Sequence, residues 1–326
     1  MSDQAATPLR VMFTDDGAET AKAILGQPGW AFLANDTNDF LAFLFGTSRW
    51  TPAEEHAAIS TLRDRAAWVR SQGAAFFRFA IPEKSAIYPN YLPTPLHEIP
   101  VSENRPAEML ARRCGDIFSY PAAELRQALR IQHTYFRADS HPNWFGALIA
   151  YRAIAARMAE AGLVDKASIL TLGDLLPSFA AYNGDLLPNL SDADRTLFLE
   201  QNAAFTTQHG FESLMMYRVH PHRARARIES VPEPYVGWFR PRPQHRTVVD
   251  DARLPKAVVF RDSTSDFMWP LLAEHFREAL FIWHKGAVFR EVVEAEKPDV
   301  VLQIQAERFL QTDPVRAATL SAVTDA

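Results

Sequence analysis

A serine follows a buried strand at the point where the chain turns into a helical segment. The apolar run AVVF (257–260) leads into Arg261-Asp262-Ser263, and the residues after this turn have a helical pattern. A serine at such a turn lies at the carboxyl edge of a sheet, with its own backbone N–H near a helix N-terminus, where negative charge is favoured. Ser263 therefore has the position of a nucleophile, with Ser265 as the alternative nucleophile. The competing interpretation is that Ser263 only caps the helix.

An acid and an imidazole share one short loop elsewhere in the chain. Asp139 ends the segment TYFRAD (134–139), which has the pattern of a strand, and His141 follows it before a helix that begins at about Phe145. A nucleophilic serine needs a neutral imidazole to accept its proton, and that imidazole needs a carboxylate to fix its tautomer. The two loops together predict acyl transfer through Ser263. The alternative is that Asp139 caps the helix and His141 is an ordinary loop residue.

A parallel sheet must bring these loops together. Three apolar runs near the C-terminus alternate with two helical patterns, at about 271–279 and 288–295; the runs are AVVF (257–260), LFIW (280–283) and DVVLQI (299–304). Because crossover helices of this length join parallel strands, the order βαβαβ predicts an α/β fold, namely a three-layer α/β/α sandwich with a mostly parallel sheet. TYFRAD is then expected to end at the same edge of this sheet as AVVF.

The rest of the chain fits one such domain over residues 1–326. Thr51-Pro52-Ala53-Glu54 is a capping box with proline at the first helical position, and the helix is expected to end near Ser71. AAFFRFAIP (74–82) predicts a strand buried on both faces. Between about 185 and 250 prolines crowd together, so this stretch is expected to be an insertion that leaves the sheet, with edge strands at most.

One part of the insertion is cationic in a chain that is acidic as a whole. Arginine binds carboxylates in a bidentate manner, so Arg223, Arg225, Arg227 and Arg240 are candidates for a groove that binds an anionic polysaccharide. A solvated surface loop is the common alternative. The nearby His220-Pro221-His222 lacks a third ligand of a suitable type, so no metal site is predicted.

Composition excludes several classes of protein. The chain has 326 residues, 48% of them hydrophobic, and its net charge of −5 disfavours nucleic-acid binding. The single Cys114 excludes an internal disulfide framework. No stretch approaches the length and apolar character of a transmembrane helix, and the N-terminus as written has no signal peptide, which predicts a cytoplasmic location.

Six segments resemble one known family in their order and spacing. The chain is similar to the permuted SGNH-hydrolase-like domain of AlgX/AlgJ-type alginate O-acetyltransferases, in which the Asp-x-His element precedes the serine. The resemblance implies that Ser263 is the nucleophile, His141 the general base and Asp139 its orienting acid. The segments are 26–39, 80–93, 136–147, 183–186, 254–265 and 298–310.

The resemblance also implies an oxyanion site. A glycine and a polar side chain normally complete it in SGNH enzymes, and Gly286, Gln303 and Gln305 are the matching candidates. Arg261, beside the serine, is a candidate contact for an anionic substrate, or else forms a salt bridge at the strand end. Family members usually have tryptophan directly after the histidine, where this chain has Pro142.

The function implied is O-acetylation of a polysaccharide through an acetyl-serine intermediate, without a cofactor. The acetyl donor is expected to be a small ester, acetyl-CoA or a membrane acyltransferase partner. The alternatives are a carbohydrate acetyl esterase with the same triad and a non-catalytic protein that binds or assembles polysaccharide. The family's usual location would make the protein periplasmic.

Overall fold

The computed structural model describes residues 22–34, 40–182, 184–205, 212–239, 241–284 and 286–310. The strands in these ranges are β1 Ala23–Leu25, β2 Ala31–Leu33, β3 Ala75–Ile81, β4 Phe118–Ser119, β5 Leu175–Tyr182, β6 Glu212–Val219, β7 Arg227–Glu229, β8 His245–Val248, β9 Lys256–Arg261, β10 Glu278–Trp283 and β11 Val300–Ala306.

A seven-stranded sheet forms the centre of the fold. Its strand order is β4-β3-β11-β9-β10-β8-β7. The five strands from β4 to β10 run parallel to their neighbours, and β8 is antiparallel to both β10 and β7. The three C-terminal strands expected from the sequence are therefore adjacent and parallel, and the prediction of an α/β fold with a mostly parallel sheet is confirmed.

Helices cover both faces of this sheet. Helices α2, α4 and α10 pack on one face, against residues such as Val258 and Phe260, and α6 and α9 pack on the other, against Val259 and Phe281. The helices are α1 Phe40–Leu44, α2 Pro52–Ser71, α3 Lys84–Ile87, α4 Pro106–Arg113, α5 Ala122–Ala128, α6 Trp144–Glu160, α7 Asp192–Gln201, α8 Tyr235–Trp238, α9 Trp269–Ala273 and α10 Arg290–Glu296.

The boundaries of two helices test the sequence patterns directly. Helix α2 begins as predicted, because the side chain of Thr51 accepts from the backbone N–H of Glu54 while the Glu54 carboxylate accepts from the backbone N–H of Thr51. The helix expected at 271–279 is wrong at its end. Helix α9 ends at Ala273, because the backbone from Glu278 onward pairs with β9 as part of β10.

The prediction of a strand at TYFRAD (134–139) is also wrong. The segment is irregular and forms one isolated bridge, between Tyr135 and Pro142. Three of its carbonyl groups bind one side chain: Nζ of the buried Lys84 donates to the carbonyls of Phe136, Arg137 and Asp139 at 3.0, 3.1 and 2.7 Å. The carbonyl of Arg137 also accepts from the backbone N–H of Ala31, in β2, at 3.0 Å. A lysine from α3 therefore holds the loop that precedes His141.

The proline-rich stretch contributes edge strands. β7 and β8 extend the central sheet at one side, and β5 pairs with β6 in a separate antiparallel sheet. β1 and β2 form a further two-stranded sheet near the N-terminus. Among the helices that the structure describes, none is long and apolar enough to cross a membrane.

Candidate active site

Ser263 lies directly after β9, in a short 3₁₀ turn that Asp262 fixes to the neighbouring strand. One carboxylate oxygen of Asp262 accepts from the backbone N–H of Thr264 at 2.9 Å, and the other accepts from the backbone N–H of Ala306, at the end of β11, at 2.6 Å. Asp262 is fully buried, so both contacts are shielded from water. The turn is therefore rigid, and Ser263 is more exposed than the residues on either side of it.

The residues around Ser263 have structural partners. Oγ of Ser265 is buried and donates to the carbonyl of Asp262 at 2.9 Å, so this alternative nucleophile is used to close the turn. The guanidinium of Arg261 is 1% exposed and forms an ion pair with Asp266. The second interpretation of Arg261, a salt bridge at the strand end, is the one that the geometry matches.

His141 lies between Ser263 and Asp139. Its Nδ1 is 2.6 Å from Oδ1 of Asp139, and its Nε2 is 2.9 Å from Oγ of Ser263. A carboxylate only accepts hydrogen bonds, so Nδ1 carries the proton and the lone pair of Nε2 faces the serine hydroxyl. The three residues are thus connected in the order that proton abstraction from a serine requires.

Asp139 is held in place by backbone groups. The same Oδ1 accepts from the backbone N–H of His141 at 2.7 Å, and Oδ2 accepts from the backbone N–H of Asp185 at 2.8 Å. The helix after this loop is capped by Asn143, whose side chain accepts from the N–H of Gly146. The alternative role for Asp139, as the cap of that helix, is therefore not what the structure contains.

The environment of His141 favours its protonated form. Burial lowers the pKa of the imidazole, but the hydrogen bond and charge of Asp139, together with the charge of Asp185, raise it, and the resulting pKa lies above the ordinary histidine value. A raised pKa makes the imidazole a stronger base, which suits the abstraction of a proton from a serine hydroxyl.

Asp185 is part of this site, although the sequence pattern assigned no role to it. Its Oδ2 lies 3.6 Å from Nδ1 of His141, and its two carboxylate oxygens accept from the backbone N–H and Oγ of Ser140 at 2.7 and 2.6 Å. The preceding Gly184 has a φ of +75°, and a Cβ there would overlap with the carbonyl oxygen of Ala138. The sequence did contain a clue, since NGDL (183–186) was one of the six family-like segments.

Two carboxylates and an imidazole that lie close together could also bind a metal ion. In the part of the chain that the structure describes, Asp139, His141 and Asp185 are the one set of three such side chains close enough to share an ion. Their ligand atoms already bond to backbone N–H groups and to one another. The rings of His220 and His222 lie 4.0 Å apart and are tilted by 51°, and among the described residues no third ligand lies close enough to share an ion with them.

Gly286, Gln303 and Gln305 come together at the same edge of the sheet. Nε2 of Gln303 donates to the carbonyl of Gly286 at 2.6 Å and to Oε1 of Gln305 at 3.0 Å. β11 and β10 flank β9 on its two sides. The contact between Gly286 and these glutamines therefore crosses the end of β9, directly after which Ser263 lies. The family resemblance gave Gly286 and either Gln303 or Gln305 as candidates for the oxyanion site, and it did not indicate the contacts between them.

Three N–H groups in this region have no hydrogen-bond partner among the described residues. They are the backbone N–H groups of Ser263 and Gly286 and the Nε2 amide of Gln305, which is buried. Gly286 has a φ of +154°, and a Cβ at this position would meet only Oε1 of Gln305, at 3.7 Å. In acyl-transfer enzymes, free N–H donors near the nucleophile bind the oxygen of a polarised carbonyl.

The structure does not bring the arginines of the expected groove to this site. Arg227 pairs in register with Val248, opposite the first residue of β10, and so lies at the amino edge of the sheet. Arg223 and Arg225 form ion pairs with Asp174 and Asp251 at 3.0 and 3.5 Å. Arg240 lies outside the described residues. Arg223, Arg225 and Arg227 are therefore not part of the site around Ser263, and the polysaccharide groove stays a prediction.

The sequence matches a known family over residues 23–209, described as the SGNH hydrolase-like domain of acetyltransferase AlgX. The matched range contains Asp139, His141 and Asp185 and ends before Ser263. No curated protein sequence matches the chain.

Solved structures share the fold at low sequence identity. PatB1 of Bacillus cereus with a sulfonyl adduct is 16% identical, with 91% of this chain and 99% of that chain covered and a TM-score of 0.62. The O-acetyltransferase domain of Pseudomonas putida AlgJ is 17% identical, with coverage of 94% and 100% and a TM-score of 0.56. Pseudomonas aeruginosa AlgX is 12% identical, with coverage of 90% and 62% and a TM-score of 0.50. Because the family match spans more than half of the chain, the protein belongs to the family of SGNH hydrolase-like domains of the acetyltransferase AlgX type.

Proposed function

We propose that the protein is a polysaccharide O-acetyltransferase that works through an acetyl-serine intermediate on Ser263. The observation that carries this proposal is the position of His141, with Nε2 2.9 Å from Oγ of Ser263 and Nδ1 2.6 Å from the buried Asp139. Serine is a poor nucleophile at neutral pH unless a base accepts its proton. The family match supports the same class of reaction.

The first half-reaction transfers the acetyl group to the enzyme. Oγ of Ser263 attacks the carbonyl carbon of the donor while its proton passes to Nε2 of His141. The electron pair of the carbonyl π bond moves to the oxygen, and the tetrahedral oxyanion forms. When it collapses, the bond to the leaving group breaks, and the leaving group takes the proton from His141. Asp139 stabilises the imidazolium that exists between these two proton transfers.

The second half-reaction transfers the acetyl group to a sugar. A hydroxyl of the acceptor gives its proton to Nε2 of His141 and attacks the ester carbonyl, and Oγ of Ser263 leaves and regains the proton. Water in place of the sugar would give acetate, which is the reaction of an acetyl esterase. The two outcomes differ in acceptor binding and in the exclusion of water, not in the triad.

The partners follow from this chemistry. We propose a polysaccharide as acceptor and, as donor, a small acetyl ester, acetyl-CoA or an acylated membrane partner. We also propose that the chain forms one SGNH-hydrolase-like domain. The reason is that one central sheet contains both β3, from the N-terminal half of the chain, and β11, from its C-terminal end. Alginate as the polymer and a periplasmic or cytoplasmic site of action stay predictions.

The experiment uses 4-nitrophenyl acetate with and without oligosaccharide acceptors, followed by mass spectrometry of both protein and sugar. We expect an acetyl group on Ser263 and acetylated sugar from the parent, and neither from Ser263→Ala. The control is Ser71→Ala, which removes an exposed hydroxyl at the end of α2 and should leave both products unchanged. Acetate without acetylated sugar would identify an esterase. A Ser263→Ala protein that acetylates sugar as well as the parent would refute the proposal.

A further inference from the structure

Two buried arginines lie on the α2 face of the sheet without a carboxylate. Arg65 of α2 and Arg78 of β3 are 5% and 4% exposed, and neither forms an ion pair within the described ranges. Burial holds the pKa of Arg65 well below its usual value, with a further contribution from Arg78, and lowers the pKa of Arg78 to about 10. Guanidinium groups nevertheless keep their proton in proteins, so two positive charges are buried here.

Arg65 contacts the group formed by Gly286, Gln303 and Gln305. Its Nη1 is 2.6 Å from Oε1 of Gln303 and 3.4 Å from the carbonyl oxygen of Gly286. Arg65 and Gln303 are 238 residues apart in the sequence and meet only because α2 packs on this face.

The contact with Arg65 determines which way each amide points. Arginine only donates hydrogen bonds, so the oxygen of Gln303 must face Arg65 and its NH₂ must face away. That NH₂ then donates to the carbonyl of Gly286 and to Oε1 of Gln305. Because the oxygen of Gln305 is taken in this way, its Nε2 is left without a partner among the described residues, buried at the edge of the sheet.

Exchanging the positions of the oxygen and the NH₂ of the Gln303 amide would be unfavourable. If Gln303 were flipped, its NH₂ would face the guanidinium of Arg65, and its oxygen would face the carbonyl oxygen of Gly286. Leaving a buried amide donor unpaired is destabilising, and of the two glutamines the present arrangement leaves only the Nε2 of Gln305 in that state. A free donor at this place is paired once an oxygen of a ligand arrives.

We propose that Arg65 is a positioning residue for the acyl-transfer reaction, which orients Gln303 and Gln305 so that Nε2 of Gln305 donates to the carbonyl oxygen of the acyl group on Ser263. The proposal rests on the proposed function. Gln305 then acts with the free backbone N–H groups of Ser263 and Gly286, while the charges of Arg65 and Arg78 favour the oxyanion through a region of low dielectric.

The position of these groups relative to the base is consistent with this role. His141 is on the loop that leads into α6, which packs on one face of the sheet, whereas Arg65 and the residues after Gly286 pack on the opposite face. The serine therefore lies between its base on one side and the proposed oxygen-binding donors on the other, as acyl transfer requires.

The test is Gln303→Glu, which keeps an acceptor for Arg65 but removes the donor to Gln305 and Gly286. A carboxylate beside two buried guanidinium groups should preserve the melting temperature of the protein. It should nevertheless lower the rate of Ser263 acetylation by 4-nitrophenyl acetate by ~10²–10³, as expected for loss of an oxyanion donor. The reduction should appear in kcat more than in KM. The matched control is Gln72→Glu at the exposed end of α2.

Three further variants separate positioning from folding. Arg65→Met should reduce the rate of acetylation by a similar factor, whereas Arg65→Lys, which is also a donor without an acceptor, should retain more of the rate. Gln305→Leu combined with Gln303→Glu should be little worse than either alone, because both remove the same donor.

The outcomes have distinct meanings. If the parent protein acetylates Ser263 and the folded Gln303→Glu variant does so at the parent's rate, the positioning role of Arg65 is wrong. If the parent protein does not acetylate Ser263 at all, the proposed function itself fails before the variants are compared.

Discussion

The carboxylate of Asp185 lies 3.6 Å from Nδ1 of His141, on the same side of the ring as Asp139. The imidazole thus faces two acids, one fully buried and one whose side chain is 43% exposed. Both raise the pKa of His141. Because Asp185 also donates its backbone N–H to Asp139, the two acids are mechanically connected.

We predict that Asp185→Asn moves the acid limb of the activity profile to lower pH. His141 must be neutral to accept the proton of Ser263, so activity falls as the pH drops through the pKa of His141. Removing one of the charges that raise this pKa lowers it, and the variant should stay active at a pH where the parent is already losing activity. The measurement is kcat/KM for an acetyl ester between pH 5 and 8, within which histidine titrates. An unchanged acid limb would show that Asp185 acts only through the backbone.

Asp139→Asn should have the larger effect on rate. An amide in this place can present its NH₂ to Nδ1 and so favour the wrong tautomer of His141, a change that costs ~10⁴ in kcat in serine proteases. Asp185 lies close enough to Nδ1 to accept part of the lost hydrogen bond, so we expect a smaller loss here and a further loss in the Asp139→Asn, Asp185→Asn double variant. Single-turnover acetylation of Ser263 measures all three. Equal rates in the single and double variants would show that Asp185 does not accept the hydrogen bond that Asp139 normally accepts from His141.

The sequence was sufficient to predict that AVVF, LFIW and DVVLQI form adjacent parallel strands. Buried runs separated by helical patterns permit few arrangements other than a parallel sheet, and the loops at its carboxyl edge then share a site. The prediction for the segment before His141 is wrong because three of its carbonyl groups bond to Lys84, and a side chain from 52 residues earlier leaves no trace in local periodicity. The family-like segments, not the periodicity, assigned the roles within the triad.

The side-chain partners of charged residues were the least predictable feature. A run of arginines has the same appearance in a sequence whether each one binds a ligand or a neighbouring carboxylate. In this structure Arg223 and Arg225 form ion pairs with neighbouring carboxylates. Arg65, in contrast, is a single arginine in an ordinary helical pattern that suggests no special role. Its contact with Gln303 depends on how α2 packs on the sheet. Such contacts follow from tertiary packing alone.

We predict that stability falls with acid because of His275, which is buried against Tyr151. Oη of Tyr151 lies 2.6 Å from Nε2 of this histidine, and burial lowers the pKa of His275 to about 4. The unfolded chain binds this proton near pH 6.5, so between pH 6.5 and 4 the unfolded state holds more protons than the folded state. The free energy of unfolding should therefore fall across that window, by at most about 3 kcal/mol for this residue.

Urea denaturation at pH 7 and pH 5 tests this dependence. His275→Gln should lose stability at pH 7, through the contact with Tyr151, and should show a smaller decrease between the two pH values. Some decrease should remain, because burial also lowers the pKa of His284 to about 4. His56→Gln, at an exposed position of α2, is the control and should behave as the parent does. A pH dependence identical in His275→Gln and the parent would contradict the assignment.

Gly184 should be essential to the site because of the space that it leaves for the backbone of Ala138. In Gly184→Ala, the φ of +75° costs about 1–2 kcal/mol for a residue with a Cβ, and that Cβ would in addition overlap with the Ala138 carbonyl. The backbone has to move, and with it Asp185 and the hydrogen bond that it donates to Asp139.

Gly73→Ala is a matched control, because Gly73 has a φ of +84° and a Cβ added there would have no atom within 4 Å. We expect both variants to lose stability in chemical denaturation, Gly184→Ala by the larger amount, and only Gly184→Ala to lose kcat/KM, by ~10² for a displacement of about 1 Å. Equal activity in the two variants would mean that the Asp185 loop does not support the position of Asp139.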